Sequence, residues 1–457
     1  MAVFMTLSGP KTNTPTSDTI FALSSGRGRA GIAVVRLSGS LAGGAVRKLG
    51  GALPEGRQAL LRHLCDPQTG EKLDDALVLF FEAPLSFTGE DVGELHVHGG
   101  PAVIAAVLET LDGMEGLRMA EPGEFARRAF ENGKLDLTQA EGLADLIEAE
   151  TQAQRRQALR QSGGTLLAVC DEWREQIILA ASLVEAALDF SDEADVPELI
   201  EDRARPVIAD LLGGLNHHLD DARKGERLRE GLQVVLAGQP NVGKSSLLNA
   251  LASRDVAIVS HEPGTTRDVI EVHLDLGGFP VTLIDTAGLR QPSGEIEREG
   301  MRRTVARAAD ADLLVWLVDA AKPVWEPHAD IKAGKSHILT ILNKIDVGPA
   351  TGNNRKGSLA ISATTGDGLE QLISFLTDKA SELMGAGEPA IVTRARQRRE
   401  LEACRDALQA FLSGDAADLE LRAEDLRVAA HSLGRLSGRV DVEDILDRIF
   451  GDFCIGK

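Results

Sequence analysis

The chain has 457 residues, 43% hydrophobic and 26% charged, a composition ordinary for soluble globular proteins and enough for about three domains. Its 49 Lys and Arg against 70 Asp and Glu leave a net charge of −21, which disfavours non-specific binding to nucleic acid. Any RNA contact must then use local basic patches or a partner protein, and no apolar run reaches the roughly 18 residues of a membrane span.

The start, Met1 to Asp18, has no basic stretch followed by a long apolar one, so no secretion signal is expected and the protein reads as cytoplasmic. Cys65, Cys170, Cys404 and Cys454 are far apart and form no CxxC pair, which suits reduced thiols better than a disulfide set or zinc site. From about Asp18 to Phe130 the pattern is α/β. Ile32–Leu37, Ala76–Phe81 and Leu95–His98 are short strand-like runs, and Val103 to Leu111 has helical spacing. His96 and His98 find no third ligand at useful spacing, so no metal is expected there.

From Lys134 the pattern changes to long helices. Leu135, Leu137, Ala140, Leu143, Leu146 and Ile147 open a first stripe that runs on to about Gln161. Leu166, Val169, Trp173, Ile177, Ala180, Val184 and Leu188 form a second, and a third helix runs to about Arg229. Helical spacing returns over Arg394 to Phe411, Glu424 to Leu433 and Val442 to Phe450. A helical region interrupted by a complete α/β module implies an insertion, whose flanks are expected to pack as one bundle. The expected domains are 1–132, 133–230, 231–385 and 386–457, with the second and fourth forming the helical bundle.

The inserted module carries the sharpest motif. Gly238-Gln239-Pro240-Asn241-Val242-Gly243-Lys244-Ser245-Ser246 follows the apolar run Leu232–Ala237 and precedes a helical Leu247–Leu251. A glycine loop between strand and helix turns backbone N–H groups toward one anion, and the helix N-terminus adds positive potential. Lys244 would reach the β- and γ-phosphates, with the Ser245 hydroxyl on Mg2+. Pro263-Gly264-Thr265-Thr266-Arg267-Asp268 then supplies threonines for metal and γ-phosphate. Asp285-Thr286-Ala287-Gly288 follows a strand and places Asp285 near the metal. Asn343-Lys344-Ile345-Asp346 follows another strand. Asp346 can accept two hydrogen bonds from guanine, a donor pair adenine lacks, and Ser362-Ala363-Thr364 would back the base. This is the order of a guanine-nucleotide switch. Leu289 stands where many small GTPases carry a water-positioning glutamine, so the acidic stretch Glu295 to Glu299 offers the carboxylate instead.

With Ser86-Phe87-Thr88-Gly89-Glu90-Asp91, Pro122-Gly123-Glu124-Phe125, Asn132–Leu137 and the terminal Phe453-Cys454-Ile455-Gly456-Lys457, the chain closely resembles the MnmE (TrmE) family of tRNA-modification GTPases. The resemblance covers nearly the whole length. It implies a folate-binding-like α/β N-terminal domain that dimerises, a helical bundle and an inserted Ras-like P-loop G domain. It also implies formation of an aminomethyl-type (carboxymethylaminomethyl) group on C5 of the tRNA wobble uridine, together with an FAD-carrying MnmG-type partner.

By the same resemblance, Arg36, Glu94, Lys134 and Lys457 hold a formyl- or methylene-tetrahydrofolate. Asn241, Ser260, Glu262 and Thr265 hold K+, Ser245 and Thr266 hold Mg2+, Glu297 orients water, and Cys454 joins the modification chemistry. Three positions depart from the family pattern: Ser260 for Thr, Gln239 for a basic residue, and Thr364 for Lys. A ribosome-assembly GTPase is the rival reading, disfavoured by the acidic chain and the terminal Cys-Ile-Gly-Lys. A dynamin-like membrane-remodelling GTPase would need a lipid-binding segment that is not visible.

Overall fold

A computed structural model describes residues 18–26, 28–189, 203–254, 256–258, 270–285, 311–327, 337–347, 357–385, 387, 390–414, 418–440, 442–451 and 453–456. In chain order its elements are β1 (Thr19–Leu23), β2 (Ala30–Ser38), α1 (Ala42–Gly50), β3 (Leu60–Cys65), β4 (Lys72–Phe81) and β5 (Val92–Gly99). Next come α2 (Pro101–Asp112), β6 (Leu117–Met119), α3 (Glu124–Glu131), α4 (Leu137–Glu148), α5 (Gln152–Ser162), α6 (Thr165–Asp189) and α7 (Arg205–Glu230). The inserted module holds β7 (Leu232–Gly238), α8 (Lys244–Ala252), β8 (Ile270–Leu276), β9 (Phe279–Asp285), β10 (Leu313–Asp319), β11 (Ile338–Asn343), β12 (Leu359–Ala360) and α9 (Leu369–Met384). The chain closes with α10 (Ala395–Ser413), α11 (Leu419–Ser437) and α12 (Glu443–Gly451).

Two compact units result: Met1–Ala144 with Ser162–Arg205 and Ala410–Lys457, and Asp145–Gln161 with Pro206–Gln409. The helical region is therefore shared between the units, where the sequence suggested a single bundle.

In the first unit a six-stranded sheet runs β3-β4-β5-β2-β1-β6, antiparallel except for the β1–β6 pair. Strict alternation puts Val35, Leu37, Val78, Leu95 and Val97 on one face, which α1 and α2 cover with Val46, Leu49, Val107 and Leu111. The sequence spacing does not announce α1, because three of its nine residues are glycine. It forms because Ala42, Ala45, Val46 and Leu49 share one buried side. On the opposite face Phe125 of α3 packs on Ile20 and Ala22. Toward the β3 edge of that face Leu61 and Leu77, paired across β3 and β4, are 64% and 43% exposed.

Helix α6 buries Leu166, Cys170, Trp173, Ile177, Ala180, Val184 and Ala187, a four-three alternation. Its partner α11 buries Arg422, Leu426, Ala429, Leu433 and Leu436 at the same spacing, so the two helices meet along a coiled-coil-like seam. The chain end docks in this unit too. Phe453 joins Leu446, Phe450, Ala126 and Leu137 in one cluster, Ile455 bridges Pro122, and the Ser24 hydroxyl donates to the Gly456 carbonyl at 2.9 Å.

The stripe expected to run unbroken to Gln161 is two helices. Thr151 and Gln154 form a capping box that starts α5: Gln154 N–H donates to the Thr151 hydroxyl, and the Gln154 amide oxygen accepts the Thr151 N–H at 3.1 Å. Ile147, counted among the apolar stripe, is 42% exposed at the end of α4.

In the second unit the sheet order is β12-β11-β10-β7-β9-β8, parallel except for the β8–β9 hairpin. The strands are buried on both faces, as a doubly covered sheet requires. Its loops at the carboxyl ends of β7, β9 and β11 carry the nucleotide motifs. The architecture is thus an α/β N-terminal domain, a helical region and an inserted Ras-like P-loop module.

An ionic cluster ties the sheet of the first unit to α3. Arg128, 3% exposed, and Arg118 share Asp18 and Glu124. Burial alone would raise both carboxyls, but the Arg118 guanidinium beside them outweighs it and holds each below its usual range. A depressed folded value means stability present above the ordinary carboxylate value and lost as pH falls through the folded one. Acid titration of the native protein followed by circular dichroism should therefore show stability falling only below about pH 4. In Arg118→Gln that acid-dependent loss should shrink.

Candidate functional site

The phosphate loop is built by backbone geometry. Gly238 ends β7, Asn241 sits in the left-handed region at φ 62°, and Gly243 at φ 99° precedes α8. A Cβ on Gly243 would lie 2.4 Å from the Asn343 side-chain nitrogen, so only glycine fits. No side chain caps the start of α8, which leaves its first N–H groups for an anion. Lys244 Nζ donates to the carbonyls of Gly238 and Gln239 at 2.9 and 3.0 Å. Burial pushes its ammonium below the usual lysine range, and Asp285 partly offsets this. Ser245 Oγ donates to Asp285 Oδ2 at 2.8 Å, so two oxygens suited to a hard divalent cation meet at the mouth of the loop. Ser246 is exposed and Val242 buried.

The base-reading motif meets the same loop. Asn343, 1% exposed, donates from its amide to Val242 O at 2.9 Å and accepts from Ala363 N–H at 3.1 Å. It therefore joins three loops with both ends of its side chain. Lys344 Nζ donates to Asn241 O and to Asp319 Oδ2, both at 2.7 Å. Lys344 holds the Asp319 carboxyl below its usual range. Asp346 is exposed, and its Oδ1 accepts from Ser362 Oγ at 2.7 Å. Thr364 is exposed. Of the sequence-derived residues, Ser260, Glu262, Thr265, Thr266, Thr286, Ala287, Gly288, Glu297 and Lys457 lie outside the described residues.

In the first unit Arg36 and Glu94 face each other across β2 and β5, with Arg36 Nε and its terminal nitrogen 3.0 and 2.9 Å from Glu94 Oε1. The Arg36 guanidinium lies 5.3 Å from the Phe87 ring and 5.8 Å from that of Phe125. These two rings were visible in the sequence only as members of the Ser86–Asp91 and Pro122–Phe125 motifs. Lys134 is exposed and passes Gly89 two residues beyond Phe87. His96 Nε2 stands 3.3 Å from Glu94 Oε2. The cysteines divide by environment: burial pushes the Cys404 thiol up to about 12, whereas Cys454 is exposed, its carbonyl accepting from Gly123 N–H at 3.3 Å. The basic run at Arg394 is largely spent internally, on Asp145 from Arg394 and on Glu226 and Glu402 from Arg398.

Comparison with known proteins supplies the relatives. Residues 137–454 match the MnmE helical domain and residues 19–134 match the GTP-binding protein TrmE N-terminus. A tRNA modification GTPase MnmE of Parvibaculum lavamentivorans is 52% identical over 96% of this chain and 100% of its own length. The protein of that name from Rhodopseudomonas palustris is 51% identical over 97% and 100%. That of Maricaulis maris is 49% identical over 96% and 99%. Among solved structures, the G domain of the T. maritima FeoB iron transporter is 28% identical over 33% of this chain and 98% of its own, with a TM-score of 0.25 that adds no weight.

The geometry of Asp346 makes base selection testable. Asp346→Asn puts a donor opposite guanine's own donors, and GTP should lose at least about tenfold in affinity while ATP gains little. Competition of GTP and ATP against a fluorescent guanine nucleotide measures this. Equal affinities of the native protein for both nucleotides would overturn the assignment.

Proposed function

The chain belongs to the MnmE family of tRNA modification GTPases, and we propose that its GTP turnover drives wobble-uridine modification. The product is an aminomethyl-type (carboxymethylaminomethyl) group on C5, made with an FAD-dependent MnmG-type partner in the cytoplasm. The observation that carries this reading is that one chain, alike over nearly its full length, holds both a guanine-reading loop set and the Arg36–Glu94 pair. No described helix is long and apolar enough to cross a membrane.

In the nucleotide site, the α8 N-terminus and Lys244 take the phosphates, and Asp346 with Ser362 reads guanine. Ser245 and Thr266 would hold Mg2+, which would neutralise phosphate charge, and Glu297 would orient the attacking water. Asn241, Ser260, Glu262 and Thr265 would hold K+, which would supply positive charge where an arginine finger acts elsewhere. In the N-terminal domain Arg36 and Lys134, with Lys457, suit the carboxylates of a reduced folate, and Glu94 suits a pterin edge. A bound formyl- or methylene-tetrahydrofolate supplies the one-carbon unit. Cys454, exposed on the docked chain end, is the reactive thiol of the modification step. The exposed Leu61 and Leu77, paired on neighbouring strands, suit a homodimer through this domain.

Turnover should rise steeply when K+ replaces Na+ at constant ionic strength, and Asn241→Ala should lose most of that gain. Equal rates in both salts, with Arg267→Ala inactive, would put an arginine in the cation's place. Mass analysis of tRNA nucleosides from cells carrying only Cys454→Ser should show loss of the modified wobble uridine while the purified variant still hydrolyses GTP. Unchanged nucleosides in cells lacking the protein altogether would remove the proposed function.

A further inference from the structure

Beside the Arg36–Glu94 pair lies a charged cluster to which neither the sequence motifs nor the comparisons give a task. Its centre is Glu90, whose side chain is 18% exposed and whose two oxygens both face Arg128 Nη1, at 3.3 and 3.1 Å. Glu90 Oε2 also accepts from Ser38 Oγ at 2.7 Å, and Ser38 and Thr88, both fully buried, share a hydroxyl hydrogen bond of 2.6 Å. Arg128 is held in turn by Asp18 and Glu124. Burying charge is costly unless every group is paired, and here each partner of Glu90 is itself held.

The anchored segment is the loop between β4 and β5. Ser86 donates to the Glu90 carbonyl at 2.5 Å, and Glu90 N–H donates to Thr88 Oγ1 at 3.3 Å, so the loop is bonded to itself around Phe87. Phe87 is the ring above Arg36. The Thr88 carbonyl accepts from the Asn132 amide at 2.8 Å, which ties the loop to the segment that carries Lys134. Gly89, at φ 80°, leaves room for both: a Cβ there would lie 3.0 Å from Asn132 Cβ and 3.3 Å from Lys134 Cε. One clamp thus places a ring against Arg36 and the Gly89 backbone beside Lys134, two cations from distant parts of the domain.

We infer that Glu90 is a positioning residue for an anionic, ring-bearing ligand at Arg36, Glu94 and Lys134. It acts by holding the Phe87–Gly89 loop against Ser38 and Arg128. This rests on the reduced-folate reading of the site and adds a residue and a mechanism to it. Glu90 touches no ligand; without it Phe87 and Gly89 lose their fixed places and the two cations lose their spacing. The amide of glutamine keeps an oxygen for Arg128 and Ser38, so the conservative variant should retain the loop.

Titration calorimetry of the full-length protein with formyl-tetrahydrofolate tests this, with circular dichroism and GTP turnover as controls. In Glu90→Ala the dissociation constant should rise at least about tenfold while turnover and the folded signal stay unchanged. Glu90→Gln should remain within a few-fold of the native protein, a rescue that a loss of bulk stability would not produce. If Glu90→Ala does not fold, Ser38→Ala, which removes one contact to Glu90, should weaken binding in the same direction. Native-like folate affinity in a folded Glu90→Ala protein overturns the inference and leaves the folate reading standing. No heat from the native protein overturns both.

Discussion

A module inserted into another must leave and return at neighbouring points, and in this chain a single carboxylate ties those points together. Asp145, at the end of α4 and 9% exposed, accepts from Arg229 at the end of α7 at 2.8 Å and from Arg394 just before α10 at 2.6 Å. Arg229 precedes the first strand of the nucleotide module, and Arg394 follows its last helix. Breaking a buried pair costs roughly 3–5 kcal/mol, less where the guanidiniums keep some access to water as these do. Gln154 adds to the joint by donating to the Arg229 carbonyl at 3.0 Å, and Gln157 by donating to that of Gly225 at 3.2 Å. The break between α4 and α5 thereby has a structural use: it turns the chain so that Asp145 and Gln154 face the entry helix.

The nucleotide loops depend on one another as closely as the module depends on its joint. Residues that sequence motifs group together as nucleotide-binding divide by what their atoms touch. Asn343 and Lys344 spend their polar atoms on the phosphate loop, on Ala363 and on Asp319, whereas Asp346 is exposed and bonds Ser362. Two residues of the Asn343–Asp346 motif therefore brace the phosphate loop. Buried polar side chains with every bond satisfied hold such loops in one arrangement, which is what a site that discriminates between bases requires.

The N-terminal domain shows the same division between recognition and support. Arg36 and Glu94 sit directly opposite on neighbouring strands, so sheet register alone brings them together. The rings of Phe87 and Phe125 come from a loop and a helix, held to the sheet by packing on Ile20 and Ala22 and by the Arg128 ion pairs.

Local pattern was enough to reveal much of this protein. The apolar runs Ile32–Leu37 and Ala76–Phe81, the glycine loop before Lys244, and the order of the switch motifs are short-range features, and short-range sterics decide them. The stripe of α6 was legible too, although its exact partner α11 was not. Helix α1, the break at Thr151, the two-sided bonding of Asn343 and the docking of Gly456 on Ser24, 432 residues away, carry no local signature. They exist because distant apolar faces must be buried together and every buried donor must find an acceptor, and only the packed chain determines which groups those are.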